Sequence, residues 1–336
     1  MEHDQDKARN YLNEKSLQLG HILPVSDALL KEYFPAGRSF LLVTTGRAVD
    51  AILSYYPGRD KWTPTISFRV VTDSLSGLKE AVNQVEEVAV ALEKLIVRTR
   101  VFGYDKKRLQ ALKALGYNTG ASLQGTVALD GRRFDQHILF KELSTRYKPE
   151  IRRAYAKPGL YAPIDVEKAK TPKLKVRGYK REDRPILDKL VSHQNVIRGI
   201  GSGLYQGLYP FPAGDYQQRV DSQEIFPVVC EDELVGEPVG SADLWKMSAD
   251  VMQHTMGTGI FVRAEYQGLG VGTLLMQAVK TMAMRLHLGR VWLSLWEGNT
   301  PAERLYRRVG FEDSGKVPGC LQEGYVNELF MTLRLD

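Results

Sequence analysis

The run Gln267-Gly268-Leu269-Gly270-Val271-Gly272 is the segment of this chain best suited to holding an anion. It follows a β-rich run, Met252–Val262, and precedes a helical pattern with apolar residues at Leu274, Leu275, Ala278, Val279 and Met282. A strand, a glycine loop and a helix in that order point successive backbone N–H groups into one concavity, and the helix N-terminus adds partial positive charge. Glycine lets the backbone approach a phosphate with no Cβ in the way. A tight strand-to-helix turn would use the same residues, so the surrounding pattern has to decide between the two.

Which anion is narrowed by what is missing. A dinucleotide fingerprint wants glycine at the sixth motif position, where Thr273 stands, and an acidic ribose partner about 20 residues on. Leu286, Leu288 and Gly289 occupy that region instead. A nucleotide-triphosphate loop wants Gly-Lys followed by Ser or Thr, which is absent.

The elements that position this loop read as a mixed α/β chain. Leu174–Tyr179, Phe226–Cys230, Val239–Trp245, Met252–Val262, Val291–Leu295 and Tyr325–Leu335 are strand patterns, and Arg181–Ser192, Thr273–His287 and Thr300–Arg308 are helical ones. Upstream, helices are expected over Lys7–Leu19, Ser26–Phe34, Leu78–Leu92 and Lys106–Leu115. Strands are expected within Ser39–Tyr56, with a turn at Thr45-Gly46-Arg47, and over Thr65–Val71, Leu95–Val101 and His137–Leu143. Residues 144–172 carry four prolines, many Lys and Arg and little apolar periodicity, so they read as a linker. Its basic run, Arg146, Lys148, Arg152, Arg153 and Lys157, suits a solvated connector better than an anion site.

Two segments look like copies. One runs Val291-Trp292-Leu293, Ala302-x-x-Leu305-Tyr306-x-x-Val309-Gly310-Phe311, then Leu329-Phe330-Met331. The other runs Ile96-Val97-Arg98, Leu109-x-x-Leu112-x-x-Leu115-Gly116-Tyr117, then Ile138-Leu139-Phe140. Strand, helix, glycine-aromatic pair and closing strand recur in order. The first copy has Leu112 where the second has Tyr306, and Thr72-Asp73-Ser74-Leu75-Ser76-Gly77 where the second has the glycine loop.

The glycine loop resembles the Q/R-x-x-G-x-G/A loop of the Gcn5-related N-acetyltransferases, the GNAT superfamily. Asn299-x-x-Ala302-x-x-Leu305-Tyr306-x-x-Val309-Gly310-Phe311 resembles that family's second half-motif, at the family's usual separation. The resemblance covers about residues 174–336. By the repeat, residues 39–143 resemble a degenerate copy. The fold it implies is α/β (α+β), with two tandem GNAT-like domains. Each is a mixed, mostly antiparallel twisted sheet flanked by helices, with a splayed parallel strand pair in the second. The implied domains are 1–143, a linker at 144–172, and a catalytic domain at 173–336.

The resemblance also implies roles. Amides from Gln267, Gly268, Leu269, Gly270, Val271 and Gly272 would hold the CoA pyrophosphate, with Thr273 opening the helix. Ile260, Phe261 and Val262 would offer backbone groups to pantetheine, and an N–H near Phe261 or Val262 would polarise the thioester carbonyl. Asn299 would hydrogen-bond the pantetheine arm or an ordered water, or cap the helix beside Thr300 and Pro301. Tyr306 matches the family's usual general acid, handing a proton to the leaving thiolate; a tyrosine packed on a helix core face is the other reading. Many relatives place a glutamate on the strand before the loop. Here that strand has no carboxylate, which leaves His254 and Asp243 as candidates for relaying a proton through water. The acceptor would sit between Gly199–Tyr216, with Tyr205, Tyr209, Phe211 and Tyr216, and Val317–Tyr325.

The implied function is transfer of an acetyl or short acyl group from acyl-CoA to a primary amine of a small molecule or peptide, in a ternary complex. The alternatives are a non-catalytic acyl-CoA sensor or scaffold and, last, a nucleotide-binding regulator acting through the basic linker. Acetyl-CoA, or another short acyl-CoA, is the expected co-substrate, with no metal. The chain is expected as a monomer with an internal pseudo-dimer, or as a homodimer.

Bulk properties set the remaining limits. The chain has 336 residues with 43% hydrophobic and 26% charged, which suits two globular domains. A net charge of +6 is too mild for a committed nucleic-acid binder and suits a polyanionic small ligand. Cys230 and Cys320 form neither a disulfide framework nor a zinc spacing, so a reducing compartment, the cytoplasm, is expected. The start, Met1-Glu2-His3-Asp4, has no apolar run behind it and no stretch approaches a membrane span. Neither a signal peptide nor membrane attachment is expected.

Overall fold

The computed structural model describes residues 39–45, 48–56, 65–143, 167–187, 213–247, 249–318 and 327–336. The helices expected over Lys7–Leu19 and Ser26–Phe34, linker residues 144–166 and loop residues Tyr205, Tyr209 and Phe211 lie outside them. In chain order the first half contains β1 (Ser39–Thr45), β2 (Ala48–Tyr56), β3 (Thr65–Val71), α1 (Leu75–Ala91), β4 (Ile96–Phe102), α2 (Lys106–Ala114), β5 (Asn118–Leu129) and β6 (Arg132–Glu142). The second contains β7 (Leu174–Gly178), α3 (Ala213–Asp221), β8 (Ile225–Asp232), β9 (Glu237–Lys246), β10 (Thr255–Val262), α4 (Val271–Arg285), β11 (Arg290–Trp296), α5 (Thr300–Val309), β12 (Glu312–Val317) and β13 (Glu328–Arg334).

Helix formation follows local chemistry. The Ser74 hydroxyl accepts from Gly77 N–H and starts α1, whose Leu78, Ala81, Val82, Val85 and Ala89 form a buried stripe at helical spacing. In α4 the stripe is Val271, Leu275, Val279 and Ala283, packed on Val239, Ala242 and Leu244 of β9 and on Met256 of β10. Each large side chain buried there contributes about 1.5–3 kcal/mol. Gly310, in a left-handed conformation, ends α5 as the sequence pattern implies.

The strands form one mixed, mostly antiparallel sheet in the order β1-β2-β3-β4-β6-β5-β12-β13-β11-β10-β9-β8-β7. From the middle outward the order is the same in both directions: β5-β6-β4-β3-β2-β1 on one side and β12-β13-β11-β10-β9-β8 on the other, with β7 added at that edge. β3–β4 and β10–β11 are the parallel pairs of the two halves. The sequence leads to two sheets, whereas the structure joins them edge to edge through β5 and β12, pairing Ala121 with Gly315. These two residues stand at the same position in their halves, each five residues beyond the glycine that follows the preceding helix, Gly116 or Gly310. Both strands also bulge at the same place, between Thr119 and Ala121 and between Asp313 and Gly315. Gly315 has φ +117°, and a Cβ there would meet Gly120 O at 2.3 Å, so the close approach needs glycine.

The seam has its own core. Ala121, Leu123 and Ile138 from the first half pack with Trp292, Val317 and Phe330 from the second, and Val127 packs with Ala249, Val251 and Met252. Thr255 Oγ1 donates to Thr126 O at 3.0 Å, and Arg290 Nε to Gln124 O at 3.1 Å. Arg98 bonds Glu328 at 2.8 Å. The end of the linker is also docked: Lys168 Nζ donates to Ala264 O at 2.7 Å and Ala169 N–H to Glu265 O at 3.1 Å, so these residues brace the approach to the glycine loop. Among the described residues, no helix is long and apolar enough to cross a membrane.

Candidate functional site

β10 and β11 pair only at Thr255–Arg290, Met256–Val291 and Gly257–Trp292. Beyond Gly257 the two strands part, while β10 keeps its antiparallel register with β9 as far as Val262–Gly240. The result is a gap in the sheet with one edge of β10 exposed to it. Arg263 N–H donates to Val239 O on β9. Backbone groups alternate in direction along a strand, so Phe261 also turns its amide toward β9, and Ile260 and Val262 turn theirs into the gap. Of the two positions expected to polarise a carbonyl, Val262 therefore has the right direction and Phe261 does not. Gln267 Nε2 donates to Val262 O at 3.3 Å and ties the loop to the end of the strand.

The glycine loop sits at the wide end of this gap. Gly268 (φ +83°) and Gly270 (φ +95°) adopt backbone conformations that favour glycine, and a Cβ on either would have nothing within 4 Å among the described residues. Gly272 has a different reason: a Cβ would meet Leu305 Cδ2 of α5 at 2.9 Å. Gly270 caps the helix, so α4 starts at Val271, two residues earlier than the sequence reading, and Thr273 lies in its first turn. Leu269 N–H is spent on Tyr266 O and Gln267 N–H on Ala264 O. Among the described residues, the N–H groups of Gly268, Gly270, Val271, Gly272 and Thr273 have no acceptor. Five donors without a backbone acceptor at a helix N-terminus, beside two glycines with open space, could hold a diphosphate by charge and room.

α5 borders the gap on the α4 side of the sheet. Asn299 Oδ1 accepts from Ala302 N–H at 3.4 Å, so Asn299 caps α5; this is the capping alternative, and its side chain is buried. Tyr306 is 6% exposed, packed in the same core as Leu275 and Leu295, with its ring 5.8 Å from that of Phe311.

The opposite face of the gap carries residues that the sequence pattern did not bring together. Asp243 and Trp245 of β9 stand beside Gly259 and Gly257 of β10. A Cβ on Gly257 would run into the Trp245 ring at 2.3 Å, which explains that glycine. Trp245 meets Trp292 of β11 edge-on, and Trp292 stacks on Phe330. From the first half, Arg100 lies 5.1 Å over the Trp292 ring and bonds Gln136 Oε1 at 3.2 Å; burial pushes its guanidinium down to about 10. No pattern in the second half alone could have located Arg98 or Arg100, because they arrive across the seam.

Three expected positions are corrected. His254 is not on β10, which starts at Thr255; Asp250–Met252 is a short 3₁₀ turn. Its Nε2 lies 3.1 Å from Gly125 O, and burial pushes its pKa down, so it serves the seam and not a proton relay at the gap. Tyr216 lies on helix α3, not in a loop, and its ring is 3% exposed. Val317 ends β12 and is fully buried against Ala121 and Ile138, so it is core, not pocket wall.

In the first half the corresponding gap is narrowed to a small pocket lined by Phe68, Val70, Thr99, Val101, Arg108 and Leu112. β3 and β4 also part after Phe68–Thr99. There Arg108 of α2 reaches across, donating to Val70 O and, at 2.9 Å, to Thr72 O, with Asp105 holding its Nε at 3.0 Å. The Arg108 side chain takes up part of the gap, and the loop before α1 has a serine cap instead of glycines. With no glycine loop before α1 and Arg108 in the gap, a calorimetric titration with CoA is expected to give one site per chain; two equivalent sites would contradict this reading of the first half.

The model of the Acetyltransferase (GNAT) family matches residues 198–311. The chain is 30% identical over 115 residues to the L-methionine sulfoximine/L-methionine sulfone acetyltransferase of Pseudomonas paraeruginosa, covering 33% of this chain and 66% of that protein. It is 27% identical over 120 residues to the streptothricin acetyltransferase of Streptomyces lavendulae, covering 34% of this chain and 60% of that one. Among solved structures it is similar to a phosphinothricin acetyltransferase from Sinorhizobium meliloti in complex with AcCoA. That similarity is 18% identity and a TM-score of 0.43, over 48% of this chain and 88% of the other.

Proposed function

Because the chain belongs, through its C-terminal half, to the GNAT superfamily, we propose that it is an acyl-CoA-dependent N-acetyltransferase acting on a primary amine. The observation that carries this reading is the meeting of two features: orphan amides of the glycine loop at the head of α4, and the gap between β10 and β11 that leads away from it. Amides from Gly268 to Thr273 would hold the CoA diphosphate, and Ile260 and Val262 would hydrogen-bond the arm in the gap. Val262 N–H would face the developing oxyanion. Tyr306 would give a proton to the leaving sulfur. The two curated relatives are named as acetyltransferases of L-methionine sulfoximine or sulfone and of streptothricin, and a small-molecule acceptor, with an acetyl or other short acyl donor, is the reading we adopt for this chain.

The experiment is a thiol-release assay with acetyl-CoA against a panel of amino acids, amino-sugar antibiotics, polyamines and peptides, beside calorimetry for CoA and NAD. Thiol release with at least one amine, CoA binding and no NAD binding are expected. CoA binding without release would favour a non-catalytic acyl-CoA module; NAD binding in its place would remove the assignment.

The first half is read as a degenerate copy (residues 1–143) that takes the place of a dimer partner, joined through residues 144–172 to the catalytic domain (173–336). Its matching strand order and matching bulges support this. Residues 174–336 expressed alone would uncover Trp292, Phe330, Val251 and Met252 and the free edge of β12. The fragment is expected to self-associate or aggregate in size-exclusion chromatography; a soluble, monomeric, fully active fragment would show that the first half has another task.

A further inference from the structure

The strand before the glycine loop has no carboxylate, yet an amine that arrives as ammonium must lose a proton before it can attack. We propose that Asp243 takes that proton and that Tyr216 positions it, an assignment that rests on the acetyltransferase reading above. Asp243 is on β9 directly across from Gly259, the second residue after β10 parts from β11. Its side chain is on the face opposite α4, since its neighbours Ala242 and Leu244 point into the α4 core. Gly259 presents no side chain, and a Cβ there would meet only the Trp245 ring, at 3.5 Å, among the described residues. On this face Gly259 has the Trp245 indole within 4 Å and Asp243, which is 7% exposed, as its cross-strand neighbour. An ammonium group is suited to both, by charge and by attraction to the ring face.

The surroundings of Asp243 keep it ready to accept. Tyr216 on α3 donates its hydroxyl to Oδ1 at 3.0 Å. Arg184 stacks on the Tyr216 ring at 4.1 Å, so the phenol is held between a guanidinium and the carboxylate. On the strand side, Thr258 Oγ1 bonds the Asp243 carbonyl at 2.8 Å and fixes the backbone. The residues paired with Asp243 on β8 and β10 are Pro227 and Gly259, neither of them ionisable. The charged groups that act on it are the guanidinium groups of Arg184 and Arg219. Burial pushes the carboxyl up to about 6, while the Tyr216 hydrogen bond and the two arginines pull it back down. At neutral pH it is ionised and still basic enough to take a proton, the condition a general base needs.

The balance is as follows. Asp243 takes one proton from the ammonium group. The free amine forms the C–N bond to the acyl carbon as the C–S bond breaks. The sulfur leaves with the proton of Tyr306, the phenolate recovers the second amine proton, and Asp243 returns its own to water. One proton is released per turnover.

The test is the pH profile of kcat/KM for thiol release by the full chain, using the best amine of the panel. In the wild type the acidic limb should have its midpoint near 6, with activity rising as the pH rises through it. Asp243→Asn keeps the shape and removes the base, so kcat/KM should fall about 10²–10⁴-fold and that limb should vanish. CoA affinity by calorimetry should stay unchanged, which also reports folding. Tyr216→Phe removes a hydrogen bond that favours the ionised form, so the limb should move up by about one pH unit with a smaller loss of rate. Wild-type kcat/KM in Asp243→Asn, or an acidic limb that ignores both substitutions, would overturn the assignment and leave the acetyltransferase reading standing. A wild type that releases no thiol with any amine would overturn both.

Discussion

Gly270→Asp is expected to weaken CoA binding on the order of 100-fold, a loss of about 2.7 kcal/mol. Gly270 caps α4 at φ +95°, and the space beside it is open among the described residues. An aspartate there puts a carboxylate beside the amides of Val271, Gly272 and Thr273, where the diphosphate would sit. The carboxylate takes those donors for itself and repels the ligand, against a helix end whose partial charge favours only one anion. Fold stability should change less than affinity, because aspartate is a good N-cap and offsets part of the strain of a left-handed backbone. Gly270→Ala separates the causes: it keeps the strain without the charge, and should cost about tenfold or less. Calorimetry and thermal melts on the same samples check this. CoA affinity unchanged in a folded Gly270→Asp variant would make the loop a structural turn.

Tyr306→Phe is expected to lower kcat about 10²–10⁴-fold while CoA affinity stays within a few-fold of wild type. The proposed proton donation occurs only as the thiolate leaves, so its loss belongs in turnover and not in ground-state binding. Phenylalanine fills the same space in the core around Leu275 and Leu295, against Phe311, so the variant should fold. Single-turnover measurements guard against a slow product-release step that would hide the effect. Wild-type single-turnover rates would leave Tyr306 as a core residue. The first half already has Leu112 at the corresponding place, fully buried, which shows how a core-only solution is built there.

The sequence by itself determined the glycine loop between its strand and helix, and the family resemblance. The reason is that these depend on neighbours in the chain: glycines at Gly268 and Gly270 that alone suit their backbone angles, and an apolar stripe at helical spacing in α4. It also set the two copies apart, with the glycine loop and Tyr306 in the second against Thr72–Gly77 and Leu112 in the first, since that difference is one of residue type. The two strands that pattern reading passed over are β5 and β12. In β12, Glu-Asp-Ser-Gly-Lys-Val has a single apolar residue, and β5 is broken by Gly120 and Gly125. Neither shows the alternation that marks a strand with its own core, because each is completed by the other: Ala121, Leu123 and Val317 share one cluster across the seam. Only tertiary structure could decide that the two halves form one sheet. Only tertiary structure could bring Arg98 and Arg100 beside Glu328 and Trp292, set Asp243 beside Gly259 with Tyr216 on its oxygen, and spend His254 on a seam carbonyl. Desolvation and pairing at long range depend on what packs against a residue, and a linear pattern contains no term for either.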